Sequence, residues 1–284
     1  MTQGYITLAT GSNFYLELAI NLVLSLKLND PSRPVCLVID KGVKLPDAYK
    51  PFVDEIAYLE PKDGFHGCLN KLRLNEVSPY QESMFVDSDC ILVKQDMDRH
   101  WAKFASPGFN IAGGKVTSGN WYGFDIAHVL AQLNTPYMVR MNSGVYYFRQ
   151  GQASQQFFDA TISLVEKHKE LLGTFHRNKL QLADEPFIGA ALGQLGITPI
   201  AYDPREGSIM ITTIKASKIH FDPLARQSTL LKHDDFRLLG RFFPRKKVAH
   251  SPSFAHFVKL EPKPEYQRIS NQLRDHFGVA HFVP

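Results

Sequence analysis

Between Tyr5 and Asp40 the chain spells out one supersecondary unit, and that unit restricts the folds open to it. Tyr5-Ile-Thr-Leu-Ala9 is a short apolar run, and Thr10-Gly-Ser-Asn13 supplies turn and capping chemistry. Leu16, Ala19, Ile20, Val23 and Leu24 then recur at helical spacing between Tyr15 and Leu28. Asn29-Asp-Pro-Ser-Arg-Pro34 ends that helix, and Val35-Cys-Leu-Val-Ile39 is a second apolar run closing on Asp40. Strand, capped helix and strand make a β-α-β unit, which crosses over right-handed into a parallel sheet. Runs that are apolar at every position belong to strands covered on both faces. The expected class is therefore α/β, with helices flanking a mostly parallel, Rossmann-like central sheet.

The next informative stretch is Met84-Phe-Val-Asp-Ser-Asp-Cys-Ile-Leu-Val93. Asp87 and Asp89 sit one residue apart between two apolar runs, where an open sheet leaves a ligand crevice at its carboxyl edge. Two carboxylates so placed repel each other unless a cation lies between them. A hard divalent ion that also binds phosphate oxygens fits that requirement. A solvated Asp-Ser-Asp turn accounts for the same residues.

Further elements are expected at Glu55–Leu59 (strand), Leu69–Glu76 (helix), and Ser83–Val86 (strand). Ser106–Tyr122 reads as a loop region with a weak strand at Phe109–Ala112. Asp125–Leu133 reads as a short helix, and Asn142-Ser-Gly144 as a turn that opens a strand. Ser154–Leu172 carries Phe157, Phe158, Ile162 and Val165 on one helical side, and Pro186 suits the start of a helix running to Leu195. Ile197–Tyr202 reads as a last core strand. Beyond it the pattern loosens, so the core is placed at 1–202, with 203–284 as a C-terminal extension of the same domain.

Composition excludes several classes. At 284 residues, 44% hydrophobic and 12% aromatic, the chain has material for one large core. No apolar run reaches the length of a membrane span, and the start lacks a basic, cleavable leader, so the cytoplasm is the expected location. Cys36, Cys68 and Cys90 are odd in number and scattered, which fits neither a disulfide framework nor a structural zinc site. A net charge of +4 does not mark a nucleic-acid binder. The basic residues do gather in Arg237-Leu-Leu-Gly-Arg-Phe-Phe-Pro-Arg-Lys-Lys247. That stretch suits peripheral contact with an anionic lipid surface, and equally a solvated edge with its aromatics turned inward.

Taken in order, these features resemble the family 8 glycosyltransferases, the glycogenin- and galactosyltransferase-like nucleotide-sugar transferases of the GT-A fold. The resemblance runs from the first strand to about His256. Leu8-Ala-Thr-Gly-Ser-Asn-Phe-Tyr15 is similar to the opening nucleotide-binding segment, and Lys71 ahead of Asp87-Ser-Asp89 to the basic residue and Asp-x-Asp motif. Met141-Asn-Ser-Gly-Val145, Asp184-Glu185 and Ala255-His-Phe-Val-Lys259 resemble three later motifs.

The resemblance implies transfer of a hexose from UDP-glucose or UDP-galactose, with retention of configuration. It implies Mn2+ or Mg2+ held by Asp87, Asp89 and His256. Ala9, Thr10, Tyr15, Lys71, Asp87, Ser88 and Asp89 would contact the UDP-sugar donor, and Asp184, Asn142 and Lys259 would serve the transfer. Asn142 and Asp184 would hold the sugar hydroxyls, while Lys71 and Lys259 would face the departing diphosphate. The acceptor would be a glycan, a lipid-linked saccharide or a protein. Two departures stand out. The late motif runs on as Leu-Glu-Pro-Lys-Pro264 in place of the family's Gly and Lys-Pro-Trp, leaving His250 as a rival to His256, and Glu185 stands where Gln is common. A nucleotidyltransferase would want a Gly-rich phosphate loop, for which Thr10-Gly-Ser-Asn13 is too sparse. A non-catalytic nucleotide-sugar-binding module and a metal-dependent nuclease are the other readings.

Overall fold

The computed structural model describes residues 2–176, 179–201, 208–238 and 241–283, with only the backbone described for 233–238 and 241–246. The chain begins with strand β1 (Gln3–Ala9), helix α1 (Asn13–Asn29) and strand β2 (Val35–Asp40), the unit written into its first forty residues. Gly11, at φ +91, makes the tight turn after β1 in the left-handed region that favours glycine. Its N–H donates to Asp40 Oδ2 at 2.6 Å, tying the carboxyl ends of β1 and β2 together.

Strands β3 (Glu55–Leu59) and β4 (Glu82–Val86) extend this sheet, β5 (Cys90–Leu92) leaves it, and β6 (Phe109–Val116), β7 (Met138–Arg149) and β8 (Ile200–Ala201) complete it. The seven-stranded order is β8-β6-β7-β4-β1-β2-β3. All neighbours are parallel except β7, which runs antiparallel between β4 and β6. One face is covered by α2 (Gln152–Leu172) and α3 (Asp184–Gln194), whose Phe157, Phe158, Phe187 and Ile188 pack with Phe85, Phe109 and Tyr146 of the strands. The other face is covered by α1 and by a small sheet in the order β9 (Met210–Thr212), β10 (Phe254–His256) and β5.

Helix α1 is buried nearly all round, not along one stripe, because helix α4 (Lys263–His276) covers its outer side. The buried amide of Asn21 on α1 is satisfied there: its Oδ1 accepts from Arg274 Nε at 2.7 Å, and its Nδ2 donates to the Tyr266 hydroxyl at 3.2 Å. Arg274, 1% exposed, also pairs with Glu17 at 2.7 Å. Residues on either side of position 203 thus share one core, Ile20 and Ile91 packing with Phe257, Ile269 and Leu273.

Several expectations need correction. The weak strand at Phe109–Ala112 is the eight-residue β6, because its pairing with β7 outweighs the glycines at 113 and 114. Asn142–Gly144 does not open a strand but lies inside the twelve-residue β7. There Ile111 pairs with Tyr146 and Gly113 with Met141, so 142–145 oppose the single residue Ala112 and bulge from that ladder. Leu69–Glu76 lies in a 3-10 segment, Gly67–Glu76. The last strand of the sheet is the two-residue, partly exposed β8 at its edge, not a core strand, and Tyr202 is outside the described residues. Of the basic stretch at 237–247, only Lys247 has a described side chain, and it is exposed, so the expected membrane contact otherwise lies outside the described side chains. No helix among the described residues is long and apolar enough to cross a membrane.

Candidate active site

The site forms where the chain passes from one sheet to the other. After β4 the carbonyl of Asp87 accepts from the Cys90 N–H at 2.9 Å, closing a turn over Asp87-Ser-Asp89 before β5 joins the small sheet. The acidic pair is thus a turn, as its residue types allow, but a half-buried one at the carboxyl edge of a central strand. The Asp87 N–H donates to the Gly144 carbonyl at 2.8 Å, joining it to the β7 bulge. On the other side Cys90 is in register with His256 on β10, and the Phe257 N–H donates to the Asp89 carbonyl at 3.0 Å. Residues distant in sequence are brought to Asp87 and Asp89 by backbone pairing, not by flexible side chains.

The charges are arranged in a chain. Lys71 Nζ lies 2.7 Å from Asp87 Oδ1 and 3.5 Å from Asp184 Oδ2. Burial works against its charge, but Asp184 and Asp87 outweigh burial and hold the ammonium well above its ordinary pKa. Its position is fixed from behind, since the Tyr146 hydroxyl donates to the Lys71 carbonyl at 2.7 Å and Tyr146 stacks on Phe85, over which the ammonium sits. Burial raises the Asp87 carboxyl above its usual range, and Asp89 and Asp184 add to that against the pull of Lys71 and His256. Asp184 Oδ2 also accepts from Ser143 Oγ at 2.6 Å. Glu185 accepts from the Ser143 N–H at 3.2 Å and from the Tyr122 hydroxyl at 3.0 Å. Burial, with Asp184 beside it, raises the Glu185 carboxyl.

His256 closes the cluster. Its Nε2 is 3.0 Å from Asp89 Oδ1 and 3.8 Å from Asp87 Oδ2, and its Nδ1 is 3.1 Å from Asn142 Oδ1. Asn142 Oδ1 also accepts from the Gly144 N–H at 3.0 Å, which orients the amide so that its oxygen faces the ring. The oxygen requires a proton on Nδ1, so Nε2 is the atom turned toward the carboxylates. Burial opposes protonation of His256, but Asp89 and Asp87 prevail and raise its pKa. A divalent cation suits this donor set. Four carboxylates, Asp87, Asp89, Asp184 and Glu185, face Lys71 and His256 as the cations among the described residues, and the 3.0 Å between Nε2 and Oδ1 matches adjacent ligand atoms around an ion with bonds of about 2.1 Å at right angles. A carboxylate and imidazole set suits Mn2+ or Mg2+, with the nitrogen favouring Mn2+.

Gly144 is required by close approach. A Cβ there would lie 2.8 Å from His256 Nδ1 and 2.9 Å from Asn142 Oδ1. Gly144→Ala is expected to displace the ring and lower divalent-cation affinity about 10- to 100-fold, the usual cost of losing an outer-shell partner. Titration of Mn2+ by its paramagnetic resonance checks this, with circular dichroism confirming that the fold is retained.

A cleft of about 190 Å³ opens beside the cluster, lined by Thr10, Tyr15, Lys71, Asp87, Ser88 and Asp89 among others. Both aspartates therefore face one cleft. Thr10 is buried, with Asn70 Nδ2 3.5 Å from its hydroxyl, while Tyr15 is 47% exposed and free to stack on a planar ligand. Ala9 is buried at the end of β1 and positions Thr10. Asn142 and Asp184 join the cluster, and the Asn142 oxygen engages His256. Lys259 is not ion-paired within the cluster. On the one-turn segment Val258–Leu260, at φ +58, it makes no ion pair with Asp87, Asp89 or Asp184. His250 lies in the outer ribbon opposite Leu230, and among the described residues the cluster able to ligate a metal is Asp89, Cys90 and His256, with neither His250 nor Asp87 in it. Sequence reasoning missed Ser143 and Tyr122. Ser143 was within reach, lying in the same Asn-Ser-Gly segment as Asn142, whereas nothing in the sequence singles out Tyr122.

The fold and the turn-borne acidic pair place the chain in the GT-A class, with the architecture of the family 8 type of glycosyltransferase. Its likeness is to the galactosyltransferase LgtC, solved in complex with donor and acceptor sugar analogues. The two superpose at a TM-score of 0.54 with 14% identity, covering 99% of this chain and 97% of that one. An active-site mutant of LgtC gives a TM-score of 0.51 at 12% identity, covering 95% of each chain. The glycosyltransferase GlyE of Streptococcus pneumoniae TIGR4 gives 0.47 at 11% identity over 73% of this chain, which spans about half, 48%, of the GlyE chain. At these identities the likeness is one of fold. No family model and no curated relative matches the sequence.

Proposed function

We propose that this protein transfers a hexosyl group from a UDP-sugar, UDP-glucose or UDP-galactose, to an acceptor hydroxyl with retention of configuration, in a divalent-metal-dependent reaction. The observation that carries this reading is the approach of His256 to Asp89 and Asp87, the two aspartates that line one cleft, beside the Lys71–Asp184 pair, in a GT-A fold. Asp87, Asp89 and His256 would hold the ion, with Asn142 fixing the tautomer of His256. When bound, the ion supplies Lewis-acid stabilisation of the departing diphosphate.

The remaining work falls to the chain's own residues. Tyr15 offers an exposed ring for the base, and Thr10 a hydroxyl at the strand end. Lys71 is neutralised by two carboxylates, so its role is to hold Asp87 and Asp184 in place rather than to meet the leaving group. Asp184, with one oxygen held by Ser143 and near Lys71, is a firm acceptor for a sugar hydroxyl. Those same contacts weaken it as a nucleophile, which favours a front-face route in which the leaving phosphate takes the acceptor's proton.

The reading is tested by incubating the protein with UDP-glucose and UDP-galactose, with and without Mn2+, and measuring release of UDP. Slow hydrolysis of one donor, abolished by a chelator, is expected. Binding of UDP–Mn2+ with no hydrolysis and no transfer would leave a binding module in place of an enzyme.

A further inference from the structure

A second cavity of about 470 Å³ lies next to the site, and its chemistry differs from that of the donor cleft. Two contacts fix its position. Asn142, whose oxygen holds His256, lines it, and so does Thr212, the residue in register with His256 on β9. The cavity thus borders His256 through Asn142 and Thr212 and shares no lining residue with the cleft at Thr10 and Tyr15, which leaves it open to a second substrate.

Among the described residues its charged lining has one sign. Arg140, Lys103 and Lys232 line it, and no Asp or Glu does among the described residues. Lys232 is the informative one. It is only partly exposed, and the partner of its Nζ is a neutral hydroxyl, Thr212 Oγ1, at 3.0 Å. Burial lowers its pKa, and among the described residues no carboxylate opposes that. A half-buried ammonium at a cavity wall, with only a neutral hydroxyl as its described partner, favours a ligand that supplies the opposite charge. Arg140, exposed on β7, makes no ion pair among the described residues and adds a planar fork suited to a phosphate or carboxylate. His100 lines the same cavity but contributes no positive charge near neutral pH, since burial lowers its pKa to about 4. The donor cleft has the opposite balance, with Asp87 and Asp89 facing a single lysine. Elsewhere the cavity wall is apolar, from Phe104, Ile209 and Met210, which suits the face of a sugar ring.

We propose that this cavity binds the acceptor and selects one that carries an anionic group, phosphate or carboxylate, close to its reactive hydroxyl, with Lys232 and Arg140 as the residues that read the charge. The proposal deepens the transferase reading and rests on it for the word acceptor, while the preference for an anion stands on the cavity itself.

The test is a calorimetric titration of the protein, saturated with Mn2+ and UDP, with glucose 6-phosphate, glucuronate and glucose. At least one of the two anions is expected to bind tenfold or more tightly than glucose, and which one does so distinguishes phosphate from carboxylate. Lys232→Met is expected to bring that anion to within threefold of glucose, and Lys232→Arg to restore the preference. Arg140→Gln, at an exposed position that folding does not depend on, is expected to weaken it by threefold or more and keeps the test valid should Lys232→Met fold poorly. Equal binding of all three ligands, or an anion preference that survives both Lys232→Met and Arg140→Gln, would overturn the proposal. Failure of the transferase reading shows separately, as the absence of UDP-sugar hydrolysis in the wild type.

Discussion

Asp89→Ala is expected to lower Mn2+-dependent turnover of the UDP-sugar by about 10²- to 10³-fold, the loss seen when one element stabilising a developing charge is removed. It should also abolish the rise in melting temperature that Mn2+ and UDP together produce in the wild type. Asp89 is the carboxylate nearest His256 Nε2, at 3.0 Å, and unlike Asp87 it has no lysine partner to lose. Its side chain is 23% exposed at a turn, so truncation leaves neither a core cavity nor a buried orphan charge. The unliganded protein should accordingly melt within a few degrees of the wild type. His256 responds too. Asp89 is the main influence raising its pKa against burial, so the variant's imidazole should titrate at lower pH, which proton resonances of the ring report. Steady-state rates within threefold of the wild type would count against Asp89 as a metal ligand.

Lys71→Met has its largest effect on the fold. The substitution keeps the length of the side chain but removes the one ammonium between Asp87 and Asp184, whose side chains are 17% and 6% exposed. Breaking a buried pair from one side costs about 3–5 kcal/mol, because the stranded carboxylates remain out of water. The pH dependence has a definite sign. The folded pKa of Lys71 lies above its unfolded value, so its contribution in the wild type is full below the ordinary lysine pKa and is lost only as pH rises through the folded value. In the variant the strain is relieved when Asp87, already raised by burial, takes a proton, so the deficit should shrink as pH falls. Urea denaturation at pH 5, 7 and 9 measures this. A deficit under about 1 kcal/mol at pH 7 would show that the pair is not the electrostatic support assigned to it here.

The sequence was most legible where local chemistry and global pairing agree. Tyr5–Asp40 folds as the β-α-β unit that its apolar runs and breakers demand, and Asp87-Ser-Asp89 lies at the edge that those runs define. Lys71, Asp184 and His256, singled out by resemblance to motifs, converge on that edge. The rest depended on pairing that no local window contains. Asn142-Ser-Gly144 has the residue types of a turn, yet strand pairing with β4 carries it through the middle of β7 as a bulge. The role of Asn142 followed from that displacement, since only the bulge brings its oxygen to His256. Helix α4 went unread because most of its residues are polar or charged, although Tyr266, Ile269 and Leu273 fall at helical spacing and form its buried stripe. Lys259, singled out only by its place after His256 in a familiar order, lies on the Val258–Leu260 turn, away from the strand register that fixes His256.

The central claim is that a divalent cation is bound between Asp89 and His256, in a cleft that also takes a nucleoside diphosphate. Anomalous X-ray diffraction from crystals grown with Mn2+ and UDP tests it most directly. The account predicts one strong manganese peak within bonding distance of an Asp89 oxygen and of His256 Nε2, with UDP beside Tyr15 and Thr10. Diffraction showing UDP in the cleft but no manganese there, with His256 still paired to Asp89, would contradict it.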